Sequence, residues 1–434
     1  ALCHFCLGRV FHMDRSGRGR DGRGKAIENA LFHLDKAMQF YTYDSYPCMW
    51  AVSCLMIGQL YRERVTLTVI RSLLKGRGST SDALRKGLDN TREAATVLSQ
   101  SKRLAAELAI CGIESGWLYL LLHEEEKKLS EKRLLLDQAI THLERGLAGV
   151  NRLNADFEAT EGQRVRPFNP QDPRNYPAHV RALVGPYPFR IVEGLCMYLL
   201  GRCYAGLSES KDHQETGFDY FTRCVKPNFI PQQSMYWVDA HVRVSALILK
   251  SPYLVDPEFE EHKVPVIDDD TGEVSMVTPK AKGDTFVDRG VAGSGNAVGP
   301  QVEERASSTQ IALDAAIQHL QVSMHSSAAK PRLADIQFKI ACANLERLHL
   351  LLDNIPPGMS LVEAMSSKGG YDVMEQVEHH LLSGLERLTA AGQNTQEAYI
   401  FYFSCLKLSE LKMMQTVSMR GLMPEDKIWL LSRS

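Results

Sequence analysis

"AIENALFHLDKA", residues 26–37, decides the fold class. Extended to residue 41, it sets Ile27, Ala30, Leu31, Leu34, Ala37, Met38 and Tyr41 on one face. Successive steps are ones and threes, which pair residues four apart at 27/31, 30/34 and 34/38, as a repeat of about 3.6 residues per turn demands. Asp44, Ser45 and Pro47 stop this helix and start the next, from Met49 to about Thr66. The same periodicity predicts helices over 81–98, 102–122, 131–150, 189–207, 217–224, 235–249, 309–324, 333–352, 361–365, 373–388 and 396–414. Strand-like alternation is nearly absent, so the expected class is all-α.

Two stretches break the pattern. Residues 152–188 carry Pro167, Pro170, Pro173, Pro177, Pro186 and Pro188, a density no helix tolerates. Residues 251–308 are polar, Gly-rich and aperiodic. Within them Val264–Ile267 and Glu273–Val277 flank a turn ending at Gly272 and predict a hairpin, with Pro265 confining its strand to an edge. Connections of this length are usually functional or disordered. The expectation is a latch that lies outside the helical stack and orders against another chain.

Within 26–37 a small residue, a large one and a small one recur as Ala30-x3-Leu34-x2-Ala37. The spacing returns at Ala139-x3-Leu143-x2-Gly146, Gly217-x3-Phe221-x2-Cys224 and Ala316-x3-Leu320-x2-Ser323, and more weakly at Val377-x3-Leu381-x2-Gly384. Partner helices carry a second signature. Ile57-Gly58-x2-Tyr61 matches Leu200-Gly201-x2-Tyr204, with Ile340-Ala341-x2-Asn344 a degraded copy. Helices approach closely where one presents Gly or Ala, and a large side chain fills the adjoining hole.

These residues resemble the tetratricopeptide repeat (TPR) pattern, W-x2-L-G-x2-Y followed by A-x3-F-x2-A. Trp50 lies one turn earlier than that pattern places its Trp, and Cys54 stands in its position. The resemblance implies a TPR-like α-solenoid of antiparallel helix pairs with two long irregular insertions. The expected segments are an Arg/Gly-rich arm (1–25), repeats (26–151), a Pro-rich insertion (152–188), repeats (189–250), a polar insertion with the hairpin (251–308) and C-terminal repeats (309–434). An irregular helical array with small residues at its contacts is the alternative.

Composition narrows the function class. Lys plus Arg total 50 and Asp plus Glu 52, a formal net charge of -2, so no global charge points to nucleic acid or an anionic membrane. No run of about 20 apolar residues predicts a membrane span. The 10 cysteines are spread mostly singly through apolar helical patterns, as in a reducing compartment. The expected location is intracellular: cytoplasm or cytoskeleton. Position 1 is Ala, so a processed or incomplete chain is expected, with an organelle reached through a removed transit peptide as the alternative.

The motifs that could carry chemistry are each incomplete. Gly19, Gly24 and Lys25 have phosphate-loop spacing, but Ala26 replaces the Ser or Thr that binds magnesium. The strings ending at Asp137 and Asp353, which would supply a second metal partner, lie in helical periodicity. Cys3 and Cys6 form one C-x-x-C with no second pair, half of a zinc site. His319 and His325 point to different sides of a helix, and the adjacent His379 and His380 cannot easily chelate together. Asp268–Asp270 lack calcium-loop spacing, and no Ser sits in G-x-S-x-G.

No catalytic, cofactor or metal residue is therefore expected. The candidates are packing residues (Ala30, Leu34, Ala37, Trp50, Gly58, Tyr61, Ala139, Leu143, Gly201, Tyr204, Phe221, Ala316 and Leu320) and a basic arm (Arg18, Arg20, Arg23 and Lys25) as a partner contact. The expected function is a non-catalytic scaffold or structural subunit binding other proteins within a larger assembly or filament. RNA binding through the arm, or an enzyme site built from the insertions, are the alternatives.

Overall fold

The computed structural model describes residues 1–13, 20–72, 80–101, 104–161, 190–207, 210–226, 229–255, 264–267, 274–277, 300–355, 358–367, 369–391 and 395–419. The fold is all-α. The described strands form one antiparallel hairpin, β1 (Val264–Ile267) with β2 (Val274–Val277), in which Val264 faces Val277 and Ile267 faces Val274. The chain divides into two compact units, Ala1–Ile230 and Pro231–Ser434.

The first unit comprises α1 (Leu2–Met13), α2 (Arg20–Met38), α3 (Pro47–Ser72), α4 (Thr80–Leu98), α5 (Ala105–Glu125), α6 (Leu129–Glu161), α7 (Arg190–Gly206) and α8 (Lys211–Cys224). The most extensive packing joins α1 to α2, α3 to α4, α5 to α6 and α7 to α8. Each contact forms where a glycine removes the side chain that would hold the backbones apart. A methyl group at Gly8 of α1 would lie 2.8 Å from Leu34 Cγ, and at Gly58 of α3 2.5 Å from Thr91 Cγ2. At Gly116 of α5 it would lie 2.5 Å from Leu143 Cγ, and at Gly201 of α7 2.9 Å from the Phe221 ring. On α5 and α6 the contacts run Gly112 to Gly146 and Gly116 to Ala139, so these helices point in opposite directions.

Three sequence boundaries are corrected. The described residues of the expected 1–25 arm are helical: α1 occupies Leu2–Met13, and α2 starts at Arg20 rather than Ala26. Arg23 explains the tie between them. Its guanidinium donates to the Phe11 carbonyl at 3.0 Å and the His12 carbonyl at 2.9 Å, satisfying orphan acceptors at the end of α1. The helix expected over 131–150 runs on through α6 to Glu161, past residue 152, because the first proline comes only at 167. The rest of the Pro-rich insertion, 162–189, lies outside the described residues.

The second unit comprises α9 (Met235–Lys250), a 3-10 turn (Pro252–Leu254), the hairpin, α10 (Pro300–His325), a 3-10 turn (Ser327–Arg332), α11 (Leu333–Asp353), α12 (Leu361–Ser367), α13 (Gly370–Ala391) and α14 (Thr395–Met419). Here too a boundary moves: α10 begins at Pro300, within the segment expected to be irregular, and β1 lies against α10. Of the latch expected over 251–308, residues 256–263, 268–273 and 278–299 lie outside the described residues. The distal core gathers Leu345, Leu348, Leu352, Met374, Val377 and Leu381 between α11 and α13, with Leu411 closing it from α14. On α14 the spacing of Tyr399, Tyr402, Phe403 and Leu406 forms one stripe, and all four are exposed.

Between α9 and α10 sit two histidines that no motif singled out as a pair. His241 Nδ1 and His319 Nδ1 are 2.8 Å apart, and both rings are buried. Burial pushes His319 down to about 3 and drives His241 well below the usual imidazole range, with His319 adding to the effect. Both are neutral near pH 7, so one ring donates and the other accepts.

Candidate binding groove

The small-large-small residues lie at the core contacts. Ala30, Leu34, Ala37, Ala139, Leu143, Phe221, Ala316 and Leu320 are buried, and Gly201 with them. Gly58 is buried against Thr91, and Tyr61 of α3 packs against the Gly87 face of α4. Tyr204 is half-buried; its hydroxyl donates to Glu144 at 3.0 Å, and its ring stacks on Tyr220 at 5.8 Å. Trp50 meets Tyr43 edge-on at 5.5 Å near the α2–α3 turn.

The partner assignments change. The Ala30 helix closes on α1 at Gly8, and Gly58 closes on α4. Three sequence copies were therefore missed. Leu7-Gly8-x2-Phe11 on α1 repeats the second signature, as does Gly116-x2-Tyr119 on α5. Gly87-x3-Thr91-x2-Ala94 on α4 repeats the first, with Thr at the large position. The signal in each case was the spacing itself.

The basic candidates separate. Arg18 lies outside the described residues, as does the side chain of Arg20. Lys25 is exposed. Arg23 faces inward and makes a bidentate pair with Glu63, 2.6 Å from each nitrogen to its carboxylate oxygen. Burial raises the Glu63 carboxyl, but the Arg23 bonds and the nearby Arg62 charge more than offset it and leave it low. Next to this pair, Arg62 donates to Glu114 at 2.6 and 3.1 Å and lies 3.8 Å from the centre of the Trp117 ring. Burial pushes His12 of the same network down to about 4. These charges hold α1, α2, α3 and α5 together.

Among the described residues of the first unit, a groove opens between α4 and α6, floored by α5. Its larger chamber encloses about 600 Å³. The floor is bare because Gly112, Gly146 and Gly149 bring α5 and α6 together: a methyl on Gly112 would lie 3.1 Å from Gly146 Cα, and one on Gly149 2.8 Å from Ala109 Cβ. A smaller chamber of about 360 Å³, lined by Tyr119 among others, continues past Arg92, which lines both. The lining of α6 runs from Leu135 to Asp156, about 31 Å at 1.5 Å per residue. That length holds about nine residues of extended chain.

The charge along the groove is uneven. Arg92, Arg145 and Arg152 line the larger chamber, with Asp156 at its end. Arg85, Asp89, Glu125 and Glu126 mix signs in the smaller one. At the junction Arg92 hydrogen-bonds the Tyr119 hydroxyl, and Tyr119 stacks on His142 at 5.4 Å. Burial lowers the His142 pKa, and the guanidinium charges of Arg145 and Arg92 lower it further, so the ring is neutral and the local field positive.

Among the described residues no group of three or more His, Cys, Asp or Glu side chains could hold a metal. Helix α5 is also long and apolar enough to cross a membrane by length and composition, although the sequence suggested no such run. In this fold 78% of that window is buried. No protein-family model matches the chain. No curated protein matches it either.

Proposed function

We propose that this chain is a non-catalytic scaffold: a TPR-like array of antiparallel helix pairs that binds segments of other proteins within a larger assembly. The groove between α4 and α6 is the observation that carries this reading. It is a product of the packing register, since the glycines that close α5 on α6 also strip its floor. Its walls are guanidinium groups, backbone and small apolar side chains, which suit recognition of a chain segment. Repetition of the Gly-to-large-residue contact from α1 through α8 supports the array, because stacked pairs expose extended surface for their length.

A peptide-display selection on the purified chain tests the reading. The expected result is a family of short sequences that bind with micromolar affinity and lose binding when Ala105→Trp, at an exposed position of α5, fills the groove floor. Failure to enrich any sequence family, or enrichment indifferent to Ala105→Trp in a variant with unchanged helicity, would reject it.

A further inference from the structure

We propose that the groove takes an extended acidic segment of a partner protein, its carboxylates bound at Arg145 and Arg152. This rests on the protein-binding reading above and names the partner's chemistry. Three arginines line the larger chamber against one aspartate. Arg145 and Arg152 are both exposed on α6, seven residues apart. Seven residues make nearly two turns, so both project to the same side, about 10.5 Å apart along the axis. In a polyproline II strand, side chains three residues apart share a face and are separated by about 9.3 Å. Carboxylates at that spacing reach both guanidiniums, and Arg92 faces the strand from the α4 wall. Guanidinium–carboxylate bonds are directional and charge-assisted, which sets the segment's register.

Besides the arginines, the groove is lined by Ala105, Leu108 and Ala109 on its floor and by Ala95 of α4 and Leu153 of α6 on its walls, with glycine backbone. It offers small apolar contacts to the alternate residues of the segment. A single-stranded nucleic acid would need aromatic faces for its bases. The rings present, Tyr119 and His142, are stacked on each other, and the acids Asp89, Glu125 and Glu126 would repel a phosphate chain, which carries a charge at every nucleotide, whereas a peptide can place uncharged residues in the smaller chamber. Protein is therefore the favoured occupant.

The test uses the full chain and a fluorescein-labelled (Glu-Pro-Ala)4 peptide, read by anisotropy at low salt. Binding is expected, weakened at least about tenfold in (Gln-Pro-Ala)4 and at least about tenfold by Arg145→Ala with Arg152→Ala. Both side chains are exposed, so circular dichroism of that variant should match the parent. Replacing Lys127 and Lys128, which lie off the groove, should leave binding unchanged. Equal binding of the Gln peptide, no loss in the Arg145/Arg152 variant, no binding of the Glu peptide, or tighter binding of a 12-nucleotide oligouridine would each overturn the proposal. Should display enrich neutral or basic sequences whose binding Ala105→Trp abolishes, the acidic partner falls while the scaffold reading stands.

Discussion

Replacing Gly58 with Ala sets two effects against each other at the α3–α4 contact. In an exposed helix the change stabilises by about 1 kcal/mol, through lower backbone entropy in the unfolded chain. Here the new methyl would lie 2.5 Å from Thr91 Cγ2 and 3.0 Å from the Gly87 carbonyl oxygen. Neither neighbour yields easily. The carbonyl belongs to the α4 backbone. Thr91 is pinned in its rotamer, donating to the Leu88 carbonyl at 2.9 Å and accepting from Ser115 Oγ at 3.0 Å. The helices must separate, and overpacking of this kind costs about 1–3 kcal/mol. The clash outweighs the propensity gain, for a net loss of up to about 2 kcal/mol. Thr91→Ser removes the methyl and keeps both hydrogen bonds, so the double variant should recover most of that loss. Urea unfolding followed by circular dichroism measures both. A Gly58→Ala protein more stable than the parent would refute the contact, as would a double variant no better than Gly58→Ala alone.

Other expectations follow from the buried charges and thiols. Arg62→Met leaves Glu114 charged with its side chain 8% exposed, which should cost about 3 kcal/mol; adding Glu114→Gln should restore part of it, and a purely additive double variant would contradict the pairing. His241 and His319 have folded pKa values below the unfolded 6.5, so the unfolded chain binds more protons between that value and about 3. Stability should therefore fall as pH drops below 6.5, by up to about 1.4 kcal/mol per pH unit per histidine, and His319→Gln should flatten the profile between pH 7 and 5; a urea midpoint indifferent to pH there would count against the buried pair. Maleimide should label the exposed Cys3, Cys6, Cys48 and Cys405 first, while Cys54 and Cys203, whose thiols burial pushes up to about 12, stay unmodified until the chain unfolds; early labelling of Cys54 on peptide mapping would contradict the α3 packing.

Much of the helical framework was legible because its physics is local. The apolar face from Ile27 to Met38 needs only a period, and Gly201 with Phe221 needs only a spacing. The first pair was missed because the Arg- and Gly-rich stretch reads as a solvated arm. That stretch instead contains the start of α2, and Arg23 turns inward to the end of α1 only because α1 and α3 are there to receive it. Thr91 hid the α4 copy, since its fit depends on hydroxyl partners on α4 and α5. The groove was not legible at all. Arg92, Arg145 and Arg152 become neighbours through the packing of α4 and α6 on α5, a relation that no single window of sequence contains.

Hydrogen–deuterium exchange of the whole chain, with and without a peptide enriched by display, tests the central claim most directly. The account predicts slowed exchange on binding in residues 88–96 of α4, 105–119 of α5 and 138–156 of α6, the segments that wall and floor the groove, with α1, α7 and α8 unchanged. Protection centred on other helices, or a bound peptide that leaves these three segments unchanged, would contradict it.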